Sequence, residues 1–140
     1  MYKKRSKGLV LVIEDEADIS GFASIMLEME GFTVLKADTG ERGLELVYQN
    51  KCALVLLDLR LRLRDGWSVL KEMKGNTNLS DIPVIMFTSS ADIDSQNRAL
   101  KMGAVDYLVK PISAASMMKS INRVLKKRAH HNSKASGLSI

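Results

Sequence analysis

Residues 53–67, ALVLLDLRLRLRDGW, place one carboxylate at the end of an apolar run and follow it with arginines at every second position. Asp58 closes the run Ala53–Leu57, and Arg60, Arg62 and Arg64 come after it. An apolar run of this length, without polar alternation, predicts a strand buried on both faces. An acid directly after such a strand sits at its carboxyl end, the edge where open α/β sheets gather their chemistry. Other apolar runs bring further polar groups to the same edge.

Those runs are 9–13 (LVLVI), 32–35 (FTVL), 84–87 (VIMF) and 105–109 (VDYLV), each of strand length. Segments with helical spacing separate them. Ile19, Phe22, Met26 and Met29 form one stripe, stopped by Gly31. Leu44, Val47 and Tyr48 form a second, and Val69, Leu70 and Met73 a third, within 68–76. Ile93 and Leu100 share one side of a more polar helix closed by Gly103. Met117, Met118, Ile121, Val124 and Leu125 make the last stripe. Strand and helix thus alternate five times, which predicts an α/β fold: a five-stranded parallel sheet with helices on both faces, joined by right-handed crossovers. The predicted domain covers 9–128, after a basic N-terminal extension at 1–8. Residues 129–140 lack periodicity and read as a flexible tail carrying His130 and His131, with nothing nearby to complete a metal site.

A chain of 140 residues, 46% of them hydrophobic, is one ordinary domain with enough material for a core. A charged fraction of 26% is not a disordered composition. The single cysteine, Cys52, allows no internal disulfide, argues against a thiolate metal cluster and reads as buried filler. The first apolar run is too short to span a membrane, and no small-residue cleavage site follows it, so the expectation is a cytoplasmic protein. The net charge of +5 is concentrated at the start, at 60–64 and near the end. It would steer an acidic partner, but charge alone assigns no direct nucleic-acid role.

The polar groups that follow the runs are Glu14 and Asp15, then Asp58, then Thr88 and Ser89, then Lys110 and Pro111. If the strands are parallel, all lie on one rim. Carboxylates gathered there repel one another, and a divalent cation removes that cost. Oxygen ligands favour Mg²⁺, which commonly bridges protein carboxylates to phosphate. A lysine ammonium supplies a second positive charge, and a hydroxyl can donate to a phosphoryl oxygen. The rim therefore suits phosphoryl transfer onto a carboxylate. Singly, each group has an ordinary explanation: acids suit a helix first turn, Thr88 suits a cap, and proline suits the first helical position. Their convergence on one edge is what those explanations leave unaccounted for.

The segments LVIEDEADI, LVLLDLRLRLRDGW, PVIMFTSSAD and GAVDYLVKPI resemble, in order and spacing, the receiver domain of bacterial two-component response regulators. The resemblance runs from about Leu9 to Lys127. It implies flavodoxin-like topology and a phosphoryl group carried on Asp58, taken from a histidine kinase or phosphotransfer protein. By the same resemblance Asp15 and Asp58 hold Mg²⁺ with the backbone carbonyl of Arg60, and Glu14 acts through water. Lys110 pairs with the phosphate, Thr88 moves toward it, and Tyr107 swings inward behind it. Lys110–Pro111 is expected to be cis. Arg60 and Ser90 flank the path of attacking water. Such a domain catalyses only its own phosphorylation and dephosphorylation. Its expected output is a downstream partner protein or a missing output domain, or a dimer formed through the helix 4–strand 5–helix 5 face.

The chain departs from the family in the loop after Asp58. A methionine–proline pair is usual there; here Leu61 and Arg62 stand in its place, and a residue that fixes φ is lost. In an extended loop Arg60, Arg62 and Arg64 would point to one side, either as solvated charge or as a partner-choosing surface. Tyr107 remains open between switching and plain packing. The alternative function is a pseudo-receiver, a protein-binding module that uses no phosphate. A nucleotide-binding enzyme of the same fold is disfavoured, because IEDEAD after the first strand is acidic and not glycine-rich.

Overall fold

A computed structural model of the chain describes residues 5–135, with side chains described through Ala129. The elements run β1 (Leu9–Ile13), α1 (Ala17–Met29), β2 (Thr33–Ala37), α2 (Gly40–Gln49), β3 (Leu54–Leu57), α3 (Gly66–Gly75), β4 (Val84–Thr88), α4 (Ile93–Lys101), β5 (Asp106–Val109) and α5 (Ala114–Ala135). All strand pairs are parallel, and the sheet order is β2-β1-β3-β4-β5. This is the flavodoxin-like order, whose winding reverses between β1 and β3 and opens a crevice at the strands' carboxyl ends.

The central strands bury both faces, as their composition requires. Leu11 and Ile13, Val55 and Leu57, Val84 and Met86 enter one core with residues of α2, α3 and α4. Val10 and Val12, Leu54 and Leu56, Ile85 and Phe87 enter the other with α1 and α5. In α5, Met117, Met118, Ile121 and Val124 are buried as their spacing predicts, and so are Val69, Leu70 and Met73 of α3. Cys52 is buried and free.

Two helices depart from the predicted faces. In α1 Ile19 and Met26 of the predicted stripe pack against the core, but Phe22 and Met29 are exposed and the fully buried residues are Ser20, Ala23, Ser24 and Leu27. Small side chains let the helix sit close to the sheet, and the Ser24 hydroxyl is satisfied by donating to Glu28 (3.1 Å). In α4 only Ala99 is buried; Ile93 and Leu100 are exposed. Tyr48 of α2 is also exposed, its hydroxyl donating to Glu72 Oε2 at 3.1 Å. α3 begins at Gly66 because the Asp65 carboxylate caps it, accepting from the Ser68 amide at 2.9 Å.

Among the described residues, structure continues past both bounds of the predicted domain. Lys7 N–H donates to Gly31 O, and Thr33 N–H to Gly8 O, each at 2.9 Å, so the basic extension docks on the start of β2. Helix α5 continues through Ala135, where lost periodicity predicts a tail. An established helix gains one hydrogen bond per added residue and needs no apolar stripe to continue. The side chains of His130 and His131 lie outside the described residues.

Gly66 locks α3 to the end of β3. Its N–H donates to Leu59 O at 2.9 Å. A Cβ there would lie 2.2 Å from the Asp58 carbonyl oxygen and 2.7 Å from Leu59 Cα. Gly66→Ala must therefore move backbone. It is expected to destabilise the fold by about 1–3 kcal/mol, the usual cost of overpacking. The check is a lower urea midpoint at unchanged slope; an unchanged midpoint would show that α3 is free to shift from β3.

Candidate functional site

Backbone hydrogen bonds carry the sheet one residue past its strands and set the polar groups along one rim. Glu14 N–H donates to Ala37 O (2.9 Å), Asp58 N–H to Ile13 O (3.1 Å) and Lys110 N–H to Thr88 O (2.8 Å). The Lys110–Pro111 peptide bond is cis.

The centre of the rim is a buried ionic triad. The Lys110 ammonium donates to Glu14 Oε1 and, at 3.0 Å, to Asp58 Oδ2. The three side chains are 8% (Lys110), 1% (Glu14) and 5% (Asp58) exposed, so water does little to stabilise their charges. The remaining oxygens have backbone partners: Glu14 Oε2 accepts from Glu16 N–H and Asp58 Oδ1 from Arg60 N–H, both at 3.1 Å. The Phe87 ring flanks the ammonium, its centroid 5.2 Å away. Burial pushes the Glu14 carboxyl above the ordinary glutamate value, against the Lys110 hydrogen bond and the Glu16 amide. Burial also opposes the Lys110 charge, but hydrogen bonds and charge from Glu14 and Asp58 together outweigh it and hold that ammonium above the ordinary lysine value.

Beside the triad, carboxylate oxygens of Glu14, Asp15 and Glu16 lie within 4.8 Å of one another. Glu14 and Asp15 belong to the metal set expected from the resemblance, with Asp58 and the Arg60 carbonyl; Glu16 joins them here. Asp58 faces Lys110 and the Arg60 amide. Asp15 instead faces Arg62, with Oδ2 and Nε 3.9 Å apart.

Thr88 is fully buried, and its hydroxyl oxygen accepts from Ser90 N–H at 3.5 Å. Tyr107 is half-buried, packs against the core, and donates its hydroxyl to Ser90 O at 2.8 Å. Burial raises the Tyr107 pKa. Both residues thus grip one residue of the β4–α4 loop.

The arginines divide their work, contrary to an extended loop with one charged side. The Arg60 side chain is exposed. Arg62 approaches Asp15. Arg64 staples the loop to two helices, donating to Ser68 Oγ (2.8 Å), Glu41 (2.9 Å) and Glu72 (2.6 Å). Its hydrogen bond holds the Glu72 carboxyl below the ordinary value. Between Arg62 and Arg64 the chain makes a three-residue turn: Leu63 has φ 71° and Arg64 N–H donates to Arg62 O at 2.8 Å. A left-handed leucine costs about 1–2 kcal/mol. The Leu63 side chain is left 90% exposed. Sequence reading also missed the stack of Arg98 on Trp67, 4.1 Å from the ring centroid, since it joins α3 to α4 across long separation.

A family profile, the response regulator receiver domain, matches residues 10–122. A probable transcriptional regulator, ycf27, of Guillardia theta is 35% identical over 122 residues, covering 87% of this chain and 47% of the relative. The DNA-binding dual master transcriptional regulator RpaA of Synechocystis is 35% identical, covering 84% of this chain and 49% of the relative. The chain thus spans about half the length of these curated relatives. Among solved structures, NtrX from Brucella abortus superposes with a TM-score of 0.86 at 26% identity, over 92% of this chain and 29% of that one. The signal receiver domain of a LuxO repressor protein from Vibrio parahaemolyticus gives 0.84 at 26% identity, over 92% and 96%. Among the described residues no helix is long and apolar enough to cross a membrane.

Replacing Lys110 by methionine leaves Glu14 and Asp58 facing each other without their cation. Removing one partner of a buried ion pair costs about 3–5 kcal/mol. A carboxyl whose folded pKa lies above its unfolded value adds stability at low pH and loses it as pH rises through the folded value. Glu14 is such a group, so the deficit of Lys110→Met, measured by urea unfolding in EDTA, is expected to be large at pH 8 and to shrink toward pH 5. A deficit independent of pH would remove the charge argument.

Proposed function

From the premise that this chain belongs to the response regulator receiver domain family, we propose that Asp58 accepts a phosphoryl group from a histidine kinase or phosphotransfer protein, with Mg²⁺ bound beside it. The observation that carries the reading is the buried Lys110 bridging Glu14 and Asp58 at the carboxyl edge of the sheet. Two desolvated carboxylates served by one ammonium form a site short of positive charge. Asp15 adds a third acid, and the cluster it forms with Glu14 and Glu16 offers only oxygen donors, which fits a hard divalent cation. Asp15, Asp58 and the Arg60 carbonyl would hold Mg²⁺, with Glu14 and Glu16 behind them. When bound, the ion supplies charge neutralisation at the phosphoryl oxygens.

In the transfer an Asp58 carboxylate oxygen attacks phosphorus. The donor's N–P bond breaks, its electron pair stays on the imidazole, and an acyl phosphate forms. Lys110, positioned by Glu14, neutralises an oxygen of the arriving group. Thr88 donates its hydroxyl to another, which draws it from Ser90 and frees Tyr107 to follow. Tyr107 then acts as a switch as well as a packing residue. The altered β4–α4 loop passes the change to α4, β5 and α5, where Ile93 and Leu100 of α4 are exposed. That face would meet a downstream partner, an output domain or a second copy.

Incubation with acetyl phosphate and Mg²⁺ is expected to add one phosphoryl group by intact mass, and Asp58→Asn to abolish it. No adduct at any Mg²⁺ concentration would favour the pseudo-receiver reading. Arg62, where the family usually has proline, shares Asp15 with the incoming cation. An exposed pair is worth about 0–1 kcal/mol, so Arg62→Ala is expected to tighten Mg²⁺ binding by up to about fivefold. Titration followed by Trp67 fluorescence reads this; weaker binding would show that Arg62 does not compete.

A further inference from the structure

The edge of the sheet opposite Asp58 carries the reverse charge. Pro83 and Val105 precede β4 and β5, so a cavity of about 460 Å³ beside them lies at the strands' amino ends. Lys74 of α3 and Arg123, Lys127 and Arg128 of α5 line it, with Asp81 as its one carboxylate. Arg123 is already paired with Asp106. Among the described residues no carboxylate lies within 4.0 Å of Lys74, Lys127 or Arg128.

Two of these cations are pre-positioned. The Lys74 ammonium donates to Ser80 O (3.0 Å) and Ile82 O (2.9 Å), leaving a third N–H for a ligand. Its stem packs over Gly103, where a Cβ would lie 3.1 Å from Lys74 Cγ and Cδ. Arg128 donates to Ala53 O at 3.4 Å. Burial, with Arg128 nearby, pulls the Lys74 pKa below the ordinary value against Asp81. The fold thus holds cations together without enough negative charge, a cost that a bound anion would remove. One wall is apolar, formed by Pro83, Val105 and the aliphatic part of Val124.

We propose that this cavity binds a nucleoside polyphosphate, its phosphate chain on Lys74, Lys127 and Arg128 and its base against the Val105 wall. The site is independent of phosphorylation at Asp58. It also lies far from the acidic rim after β1, which repels nucleotide phosphates.

Calorimetric titration of the full chain with ATP, in EDTA and at low salt, tests this. One ATP per chain is expected, weakened at least tenfold by Lys127→Glu and by Arg128→Glu. Lys119→Glu, an exposed α5 residue outside the cavity with the same charge change, is expected to leave binding unchanged. Lys127 is exposed, so its substitution should not disturb folding, which circular dichroism verifies. Inorganic tripolyphosphate is expected to bind several-fold more weakly than ATP. Binding that never saturates, or that Lys127→Glu and Lys119→Glu weaken equally, overturns the proposal. So does tripolyphosphate binding as tightly as ATP, loss of binding in Asp58→Asn, or tighter capture of single-stranded oligonucleotides as they lengthen.

Discussion

One ammonium between two buried carboxylates constrains the rest of this molecule. Lys110 is 96 residues from Glu14 and 52 from Asp58, and their side chains meet only if β1, β3 and β5 run parallel in one sheet with their ends level. Burying such charges costs several kcal/mol per ion unless every oxygen and proton finds a partner. Here each carboxylate takes one bond from Lys110 and one from a backbone amide. The two apolar cores supply the rigidity that keeps this geometry. The arrangement is therefore tightly placed yet poor in positive charge. That suits the phosphate-accepting, metal-dependent role proposed for it.

The loop after Asp58 shows how local strain is managed next to such a centre. Gly66 brings α3 against the Asp58 backbone, so the chain from Leu59 must return quickly. It does so through the left-handed Leu63 in place of a proline-fixed bend. Arg64, bonded to Glu41, Ser68 and Glu72, closes that turn. The alternating arginines thus have different duties: one holds the loop, one sits beside Asp15, and one is exposed. A three-residue turn breaks the two-residue alternation on which a shared face depends.

The central strands β1, β3 and β4 were legible because burial on both faces leaves them almost wholly apolar, and their parallel direction followed from the alternation with helices; the strand order came only with the family resemblance. The rim groups were legible for the same reason: a parallel sheet sends every carboxyl end to one edge. Helix faces were less so. In α1 the larger apolar side chains, Phe22 and Met29, lie outside, while Ser20, Ala23 and Ser24 take the close approach to the sheet. Hydropathy ranks those residues in the wrong order when distance, not apolar area, decides the contact. Spacing along the chain did not show that Glu16 would join Glu14 and Asp15, nor which oxygens Lys110 engages. The basic cavity at the opposite edge was hidden because α3 and α5 each contribute to it, and on either helix alone its lysines and arginines look like a solvated face.

α4 is the helix least committed to the core, so the change proposed at Asp58 would emerge there most readily. α1 buries Leu27, and α3 buries Val69, Leu70 and Met73, each side chain worth about 1.5–3 kcal/mol. α4 buries only Ala99. Its side-chain ties are the Arg98–Trp67 stack and, through its leading loop, the Tyr107 bond to Ser90. A cation–π contact at such a site is worth about 0.5–1 kcal/mol, and a single neutral hydrogen bond a similar amount. Ser90 is held by Thr88 from one side and Tyr107 from the other. On the proposed reading, a phosphoryl group that claimed the Thr88 hydroxyl would remove one of these holds. The energy needed to shift α4 is then small beside that of moving any other helix. The same physics that packs α1, α3 and α5 firmly against the sheet leaves α4 as the helix least tied to it, the one that the proposed phosphorylation of Asp58 would move at least cost.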